Sequence, residues 1–195
     1  MRNATVKRTT KETQIELTLC LDGTGKTEIS SGVGFLDHML TLFARHGDFD
    51  LAVNCCGDIE VDGHHSVEDI GICLGQAFSE ALGDKRGITR YGQFLMPMDE
   101  TLVLCACDLS GRDYLGWVVD LPSPKVGEFD SELGKEFWLA FVRNCPGSIH
   151  IREMAGDNTH HILEAIFKGM GRALKMAVAM DEKHLDEIPS TKGTL

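Results

Sequence analysis

The sequence predicts an α+β fold built from two similar halves, each with helices packed on one face of an antiparallel sheet. One observation is a repeated motif, because His64-His65-Ser66-Val67-Glu68 returns 96 positions later as His160-His161-Ile162-Leu163-Glu164. Both halves also open alike, with Glu-Thr at Glu12 and Glu100 and Asp-x-x-Gly soon afterwards. The periodic segments follow the same order in each half, which is strands, helix, strand, helix. We therefore expect one domain over 1–195, with internal repeats at about 1–88 and 89–195.

The first half shows clear local patterns. Polar and apolar residues alternate over Gln14–Leu19, as in a half-buried strand. The polar turn Asp22–Gly25 is typical of a hairpin and predicts a second short strand near Lys26–Ile29. Further on, the periodicity predicts an amphipathic helix around Phe35–Phe43, a strand at Leu51–Val53, and a helix from Gly63 to about Leu82 with Asp62 or Ser66 as its cap.

The second half repeats this order. It opens at Arg90–Met98, where we expect Pro97 to interrupt any long strand. Strands are predicted at Thr101–Cys107, Tyr114–Asp120 and Ile149–Ile151, and helices at Leu133–Asn144 and from Asn158 or Thr159 to about Met180. The charged segment Asp181–Glu187 is expected to be a solvated helix end, followed by a polar tail that is disordered by default.

Composition limits the classes of partner and the cell compartment. The formal net charge of −11 argues against nucleic acid or an anionic membrane as the main partner. No apolar run approaches the roughly 20 residues of a membrane span, and the first residues lack the apolar core of a signal peptide. Seven Cys, mostly within apolar runs and without Cys-x-x-Cys, indicate buried reduced thiols. We therefore expect a cytoplasmic protein.

The repeated motif has the spacing of a partial metal site. On a helix, the Glu of each His-His-x-x-Glu lies four positions after the first His and three after the second, so it shares a face with each of them. Imidazole and carboxylate donors without a thiolate suit a transition metal. A single copy is also compatible with a structural zinc site or with a capped, hydrogen-bonded pair. The duplication favours an exchangeable or catalytic metal centre.

The motifs together resemble the imidazoleglycerol-phosphate dehydratase family, an enzyme family of histidine biosynthesis. The resemblance runs from about Arg8 to Gly193. It is carried by the following segments: Gly34-Phe35-Leu36-Asp37-His38-Met39, Asp62-Gly63-His64-His65-Ser66-Val67-Glu68-Asp69, Arg90-Tyr91-Gly92, Asp108-Leu109-Ser110-Gly111-Arg112, Asn158-Thr159-His160-His161-Ile162-Leu163-Glu164-Ala165 and Pro189-Ser190-Thr191-Lys192-Gly193.

This resemblance implies a cofactor and an assembly. The expected cofactor is Mn²⁺, with about two ions per active site, and the expected partner is the chain itself, in an octahedral 24-mer with metal sites between subunits. The family's ligands fall here on His38, His64, His65, Glu68, His160, His161 and Glu164. An eighth ligand is expected at Glu136, where many members have His, because a carboxylate also suits manganese.

The implied reaction converts imidazoleglycerol phosphate into imidazole acetol phosphate, and it needs proton transfer and a cradle for phosphate. Glu12 is the first candidate for acid and base, with His46 and Asp99 beside it and Glu68 and Glu164 also counted as catalytic. Arg offers the bidentate fork that phosphate favours. The expected substrate contacts are Glu12, His38, His46, His64, Arg90, Arg112, His160, Lys168, Ser190 and Lys192.

Two other functions share some of these features. One is a non-catalytic metal store, which has no reason to gather the cationic residues Arg90, Arg112, Lys168 and Lys192. The other is a metal-dependent phosphoester hydrolase, which would share both the metals and the phosphate ligands. The product of the reaction separates them, since a hydrolase releases phosphate whereas a dehydratase keeps it and forms a ketone.

Overall fold

The computed structural model describes residues 1–195 and contains ten strands and four helices. The first half comprises β1 (Asn3–Thr9), β2 (Thr13–Cys20), β3 (Thr27–Ser30), α1 (Gly34–Gly47), β4 (Asp50–Gly57) and α2 (His64–Leu82). The second half comprises β5 (Tyr91–Met98), β6 (Thr101–Asp108), β7 (Tyr114–Val118), β8 (Lys125–Val126), β9 (Phe129–Asp130), α3 (Leu133–Asn144), β10 (Ser148–Ala155) and α4 (Thr159–Val178).

The two large sheets have the same topology. The strand order is β1-β2-β4-β3 in the first sheet and β5-β6-β10-β7 in the second, so each half builds its sheet in the same way. Most neighbours are antiparallel, but the last pair of each sheet, β3 with β4 and β7 with β10, is parallel. The predicted α+β fold of duplicated halves is confirmed.

One predicted connection is wrong. The turn at Asp22–Gly25 does not form a hairpin, because β3 pairs with β4 and not with β2. The carboxylate of Asp50 accepts hydrogen bonds from the backbone N–H groups of Thr24 and Lys26, at 2.8 and 2.9 Å. These bonds tie the turn to the start of β4, and the chain then continues along the far side of that strand.

Two local predictions also differ from the structure, and two features were not predicted. Pro97 lies within β5 without ending it. Because β5 is an edge strand, the N–H that proline lacks leaves no strand partner unpaired. The segment Asp181–Glu187 forms turns instead of a helix end, and it is bonded to Gly87 through Asp181 N–H and Glu187 C=O, both at 2.8 Å. The strand β1 and the small β8–β9 hairpin were not predicted from the sequence.

The helices fill the space between the two sheets. Both sheets expose one face, and their other faces contribute with the helices to a single core of 48 buried residues. The helices also pack across the halves, α1 on α4 and α2 on α3. Each contact needs a glycine, since a Cβ at Gly75 or at Gly171 would lie 2.5 or 2.4 Å from the carbonyl oxygen of Phe141 or Phe43. This cross-packing brings residues of one half to the motif of the other.

Two expectations from composition concern membrane-spanning helices and the cysteines. None of the helices combines the length and apolar character that crossing a membrane requires. Five thiols are buried, as expected, whereas Cys20 is half-buried and Cys56 is exposed, and no two cysteines are bonded. Burial raises the pKa of Cys73, Cys107 and Cys145 to about 12.

Candidate metal and substrate site

Both His-His-x-x-Glu motifs lie in the first turn of a helix, as predicted. The side chain of Asn158 caps α4 by accepting from the N–H groups of His160 and His161, at 3.0 and 3.3 Å. The α2 helix follows Gly63, and the Asp62 carboxylate accepts from His64 N–H at 2.8 Å. Ser66 is not a cap, because it is buried within the helix and its hydroxyl has no partner. The capping groups therefore fix the backbone that carries the imidazoles.

The second motif forms a cluster with a residue of the first half. The Nε2 atoms of His38 and His160 lie 3.3 and 3.2 Å from Oε2 of Glu164. These three donors lie within 4.8 Å of one another, a spacing that suits one metal ion. His38 comes from α1, and it reaches this place because α1 packs on α4. The structure therefore brings together three of the predicted metal ligands.

Lys168 lies at the same cluster. It is one helical turn beyond Glu164 and forms an ion pair with its other oxygen, so it does not lie with the other predicted phosphate ligands. Burial would raise the pKa of Glu164, but the hydrogen bond from Lys168, with smaller contributions from His38 and His160, holds that pKa below its usual value. Glu164 is therefore a carboxylate at neutral pH.

The second His of each motif turns toward another carboxylate. His161 Nδ1 lies 2.8 Å from Oε2 of Glu100, and with Asp99 they form a second group of donors within 4.8 Å. His65 Nδ1 lies 3.0 Å from Oδ2 of Asp58, while its Nε2 lies 3.8 Å from Glu12. The hydrogen bonds to Glu100 and Asp58 raise the pKa of His161 and His65 respectively.

Sequence reasoning missed Asp58 and Glu100. For Glu100 a signal was present, since Glu100-Thr101 matches Glu12-Thr13 in the opening of the two halves. Asp58 carries no comparable signal, because it lies in the turn after β4 and meets His65 only through the fold. Asp99 does lie at this group, in the left-handed region with φ of 50° that a non-glycine residue rarely adopts.

The first motif has a looser cluster. His64 Nε2 lies 3.8 Å from Glu68 Oε2, and no third donor joins them. Glu136 is half-buried on α3, and its carboxylate makes no hydrogen bond or ion pair in the chain. The packing of α3 on α2 at Phe141 nevertheless matches the packing of α1 on α4 at Phe43. Glu136 therefore occupies the place in α3 that His38 occupies in α1, and its role as a ligand stays a prediction.

His46 lies at the other end of α1, half-buried beside α4. Desolvation by burial lowers its pKa, and the nearby charges of Arg172 and Lys168 lower it further. The imidazole is therefore neutral at pH 7 and able to accept a proton. Arg172, which also lies over the ring of Phe94, was not among the predicted site residues.

Four of the predicted phosphate ligands line one cavity. Arg90, Arg112, Ser190 and Lys192 surround a space of about 520 Å³ between the start of the second half and the tail. Arg90 forms a bidentate pair with Asp108, Nε–Oδ1 at 2.6 Å and Nη2–Oδ2 at 3.1 Å, and donates from Nη1 to the Pro189 carbonyl at 2.9 Å. The tail is therefore placed on a cationic cavity by an arginine of the cavity itself.

Solved structures with this fold define the class of protein. A crystal structure from Staphylococcus aureus subsp. aureus N315 matches 92% of this chain and 99% of its own with a TM-score of 0.84 and 42% identity. A structure from Pyrococcus furiosus, in complex with (S)-C348, matches 97% of this chain and 100% of its own with a TM-score of 0.85 and 40% identity. Both proteins are dehydratases, so the fold is that of a hydro-lyase.

Sequence comparison gives the family. A family model of imidazoleglycerol-phosphate dehydratase matches residues 31–174. Imidazoleglycerol-phosphate dehydratases from Pelobacter propionicus and Geobacter sulfurreducens are each 57% identical over 194 residues, covering 100% of this chain and 99% of the relatives. The chain belongs to the imidazoleglycerol-phosphate dehydratase family, and it is a dehydratase, a carbon–oxygen lyase of histidine biosynthesis. The resemblance seen in the motifs is confirmed.

Proposed function

We propose that the chain dehydrates imidazoleglycerol phosphate to imidazole acetol phosphate in a manganese-dependent reaction, with about two ions per active site. The observation that carries the metal dependence is the cluster of His38, His160 and Glu164, whose donors come from both halves and converge within 4.8 Å. An ion pair that only stabilised the fold would not need two imidazoles facing one carboxylate. The names of the relatives supply the substrate and the removal of water.

The donor set fits manganese. It consists of imidazole nitrogens and carboxylate oxygens, and none of the buried cysteines belongs to either donor group. We propose His38, His160 and Glu164 as one set of ligands. The remaining metal positions would be completed by His64, His65, Glu68, His161 and Glu136. When bound, the metal would act as Lewis acid and hold the imidazole ring of the substrate, so that His38, His64 and His160 would also lie beside that ring.

The protein side chains supply the proton transfers. The reaction removes a proton from carbon and returns one to the departing hydroxyl, so that water leaves and an enol becomes the ketone. Glu12 is about half exposed and lies 3.8 Å from His65, which places an available carboxylate at the motif. We assign the roles of general acid and base to Glu12, His46 and Asp99. Glu68 and Glu164 would be carboxylates that contact the reacting atoms. The neutral state of His46 supports its part in this work.

The phosphate is proposed to bind in the cavity of Arg90, Arg112, Ser190 and Lys192. Charge and geometry support this assignment, since two guanidinium groups, one ammonium and one hydroxyl converge on a space of about 520 Å³. Lys168 is proposed to contact substrate from its place on Glu164, at the metal cluster. A tail that rests on this cavity can exclude water once the substrate is bound.

Each active site is proposed to form between copies of the chain, as in an octahedral 24-mer. The cluster of His38, His160 and Glu164 holds only three donors and is open to solvent, since His38 is 47% exposed and His160 is 42% exposed. The outer face of the second sheet supports self-association, because it exposes apolar side chains at Tyr91, Leu95, Tyr114, Val118 and Met154. The equivalent face of the first sheet carries the polar residues Thr5, Lys7, Glu16, Thr18 and Asn54.

One assay tests this function. The purified chain is treated with a chelator and given imidazoleglycerol phosphate with and without Mn²⁺, and the products are analysed for ketone and for free phosphate. We expect ketone with intact phosphate, and only when the metal is present. Ketone formation at the full rate in a preparation shown to be free of metal would contradict the metal dependence, and release of phosphate would contradict the dehydration.

The assembly is tested on the same preparations by light scattering. We expect a mass about 24 times that of the 21.4 kDa chain, and a smaller species for Leu95→Asp, which puts a charge on the apolar sheet face. Glu16→Asp on the polar sheet is the control and should leave the mass unchanged. A monomeric wild-type protein would contradict the assembly.

A further inference from the structure

The second histidine of each motif presents the same ring nitrogen to a carboxylate from outside its helix. In the second half, His161 Nδ1 lies 2.8 Å from Oε2 of Glu100, which stands just before β6. In the first half, His65 Nδ1 lies 3.0 and 3.2 Å from the two oxygens of Asp58, which follows β4. The two carboxylates come from different places in their halves and meet equivalent nitrogens.

A carboxylate at one ring nitrogen decides what the other nitrogen can do. A neutral imidazole carries one N–H and one lone pair, and a carboxylate can only accept, so the N–H must be on Nδ1. The lone pair is then on Nε2, which is the atom left to bind a metal ion. Such a partner also fixes the plane of the ring and increases the basicity of the ligand.

We propose that Asp58 and Glu100 are positioning residues that fix His65 and His161 as Nε2 ligands of the metal. This inference rests on the proposed metal dependence and adds two residues that act on the metal only through a histidine. The arrangement predicts that both carboxylates set the affinity for the ion without setting the number of ions bound.

The carboxylates are themselves held in place. Glu100 is fixed at both oxygens, because Oε1 accepts from the hydroxyl of the buried Thr101 at 2.8 Å while Oε2 faces His161. Asp58 presents both oxygens to His65, and its backbone N–H donates to the Glu12 carbonyl at 3.1 Å. A carboxylate that is fixed before the metal binds can orient the ring at little further entropic cost.

The comparison of the halves separates this role from that of Glu12. Glu12 and Glu100 match in the sequence, yet Glu100 lies on Nδ1 of its histidine, whereas Glu12 lies 3.8 Å from Nε2 of His65. Asp58 has taken the Nδ1 position in the first half. Glu12 is thereby left available for the substrate, while its counterpart Glu100 is occupied in holding a histidine.

The test measures Mn²⁺ binding to the metal-free chain in the absence of substrate, by electron paramagnetic resonance of free Mn²⁺. The variants are Asp58→Asn and Glu100→Gln, each of which keeps the shape of the side chain and removes its charge. Matched controls are Glu60→Gln and Asp157→Asn, exposed acids close to the starts of α2 and α4 whose carboxylates make no hydrogen bond or ion pair. Circular dichroism and light scattering establish that each variant is folded and assembled.

We expect the dissociation constant of the affected ion to rise roughly 10–100-fold in Asp58→Asn and Glu100→Gln, with the number of ions per chain unchanged and the controls like the wild type. Thr101→Val should weaken binding by a smaller factor, and Thr101→Ser should restore it because the hydroxyl returns. Wild-type affinity in both carboxylate variants would overturn the inference, and so would the loss of a whole ion, which marks a direct ligand. A wild-type chain that binds no Mn²⁺ would overturn the proposed metal dependence together with this inference.

Discussion

Replacing Arg90 is the most informative test of the phosphate site, because its guanidinium both lines the cavity and binds the tail. Of its five N–H groups, two bind Asp108 and one binds the Pro189 carbonyl. One N–H on each terminal nitrogen is left for an anion in the cavity. The hydrogen bond with Asp108 raises the pKa of Arg90, so the charge is present at every pH of interest.

The expected loss follows from these contacts. Arg90→Lys keeps the charge but has no fork, so it gives up one of the two bonds to phosphate together with the bidentate pair to Asp108. One charge-assisted hydrogen bond is worth about 1.5–3 kcal/mol, which corresponds to a rise in KM of roughly 10–150-fold. We expect kcat to change less, because the phosphate lies away from the bonds that break. Arg143→Lys, an exposed arginine at the end of α3, is the matched control.

The contact with Pro189 adds a second requirement. If Arg90 also orients the tail, then removing residues from Ser190 onward and replacing Arg90 should not have additive effects, because each change removes part of what the other holds. Steady-state kinetics of the two single variants and the double variant measure this coupling. A KM of Arg90→Lys within twofold of the wild type, or strictly additive effects in the double variant, would refute the reasoning.

Three further predictions concern other parts of the chain. Glu136→His should keep the metal content measured by mass spectrometry, whereas Glu136→Ala should lose an ion more easily; unchanged content in both means that Glu136 is only a helix carboxylate. Asp69 is buried and accepts from Thr13 at 2.5 Å, so Asp69→Ala should lower the free energy of unfolding by about 1–3 kcal/mol in urea, and an effect under 0.5 kcal/mol would contradict this. Burial raises the pKa of Cys73, Cys107 and Cys145 to about 12, so these thiols ionise near pH 9 only when the chain is unfolded. The free energy of unfolding in urea should therefore fall above that pH, by up to about 1.4 kcal/mol per pH unit for each thiol, and an unchanged value up to pH 10 would contradict this.

The sequence predicted those elements whose pattern is local. The α3 helix begins and ends at Leu133 and Asn144 as expected, because apolar spacing alone marks it. The strand β1 was missed because its inward positions hold Ala4, Val6 and the charged Arg8, a weak apolar pattern, and its pairing with β2 decides the structure. The hairpin was predicted wrongly for a related reason, since a turn sequence says nothing about which strand the chain joins next.

The candidate site likewise contains some features that the sequence predicted and others that only the fold reveals. The His-His-x-x-Glu spacing on a helix was visible in the sequence, and so was the position of Lys168 one turn beyond Glu164, although its ion pair was not foreseen. The partners Asp58 and Glu100 reach the histidines from loops, and their approach depends on the packing of separate elements. Local spacing therefore finds the ligands, and only the fold shows what holds them.

The two halves have kept one scaffold, but their clusters differ in charge. In the second half, the imidazole of His38 completes a compact cluster, and Lys168 balances the charge of Glu164. In the first half, Glu136 takes the place equivalent to His38, and Ile72 takes the place equivalent to Lys168. The first half therefore has carboxylates at both equivalent positions, Glu68 and Glu136, and no lysine to offset them, and its His64–Glu68 distance of 3.8 Å exceeds the 3.2 Å between His160 and Glu164. Under the proposed function, a divalent ion supplies in the first half the positive charge that Lys168 supplies in the second.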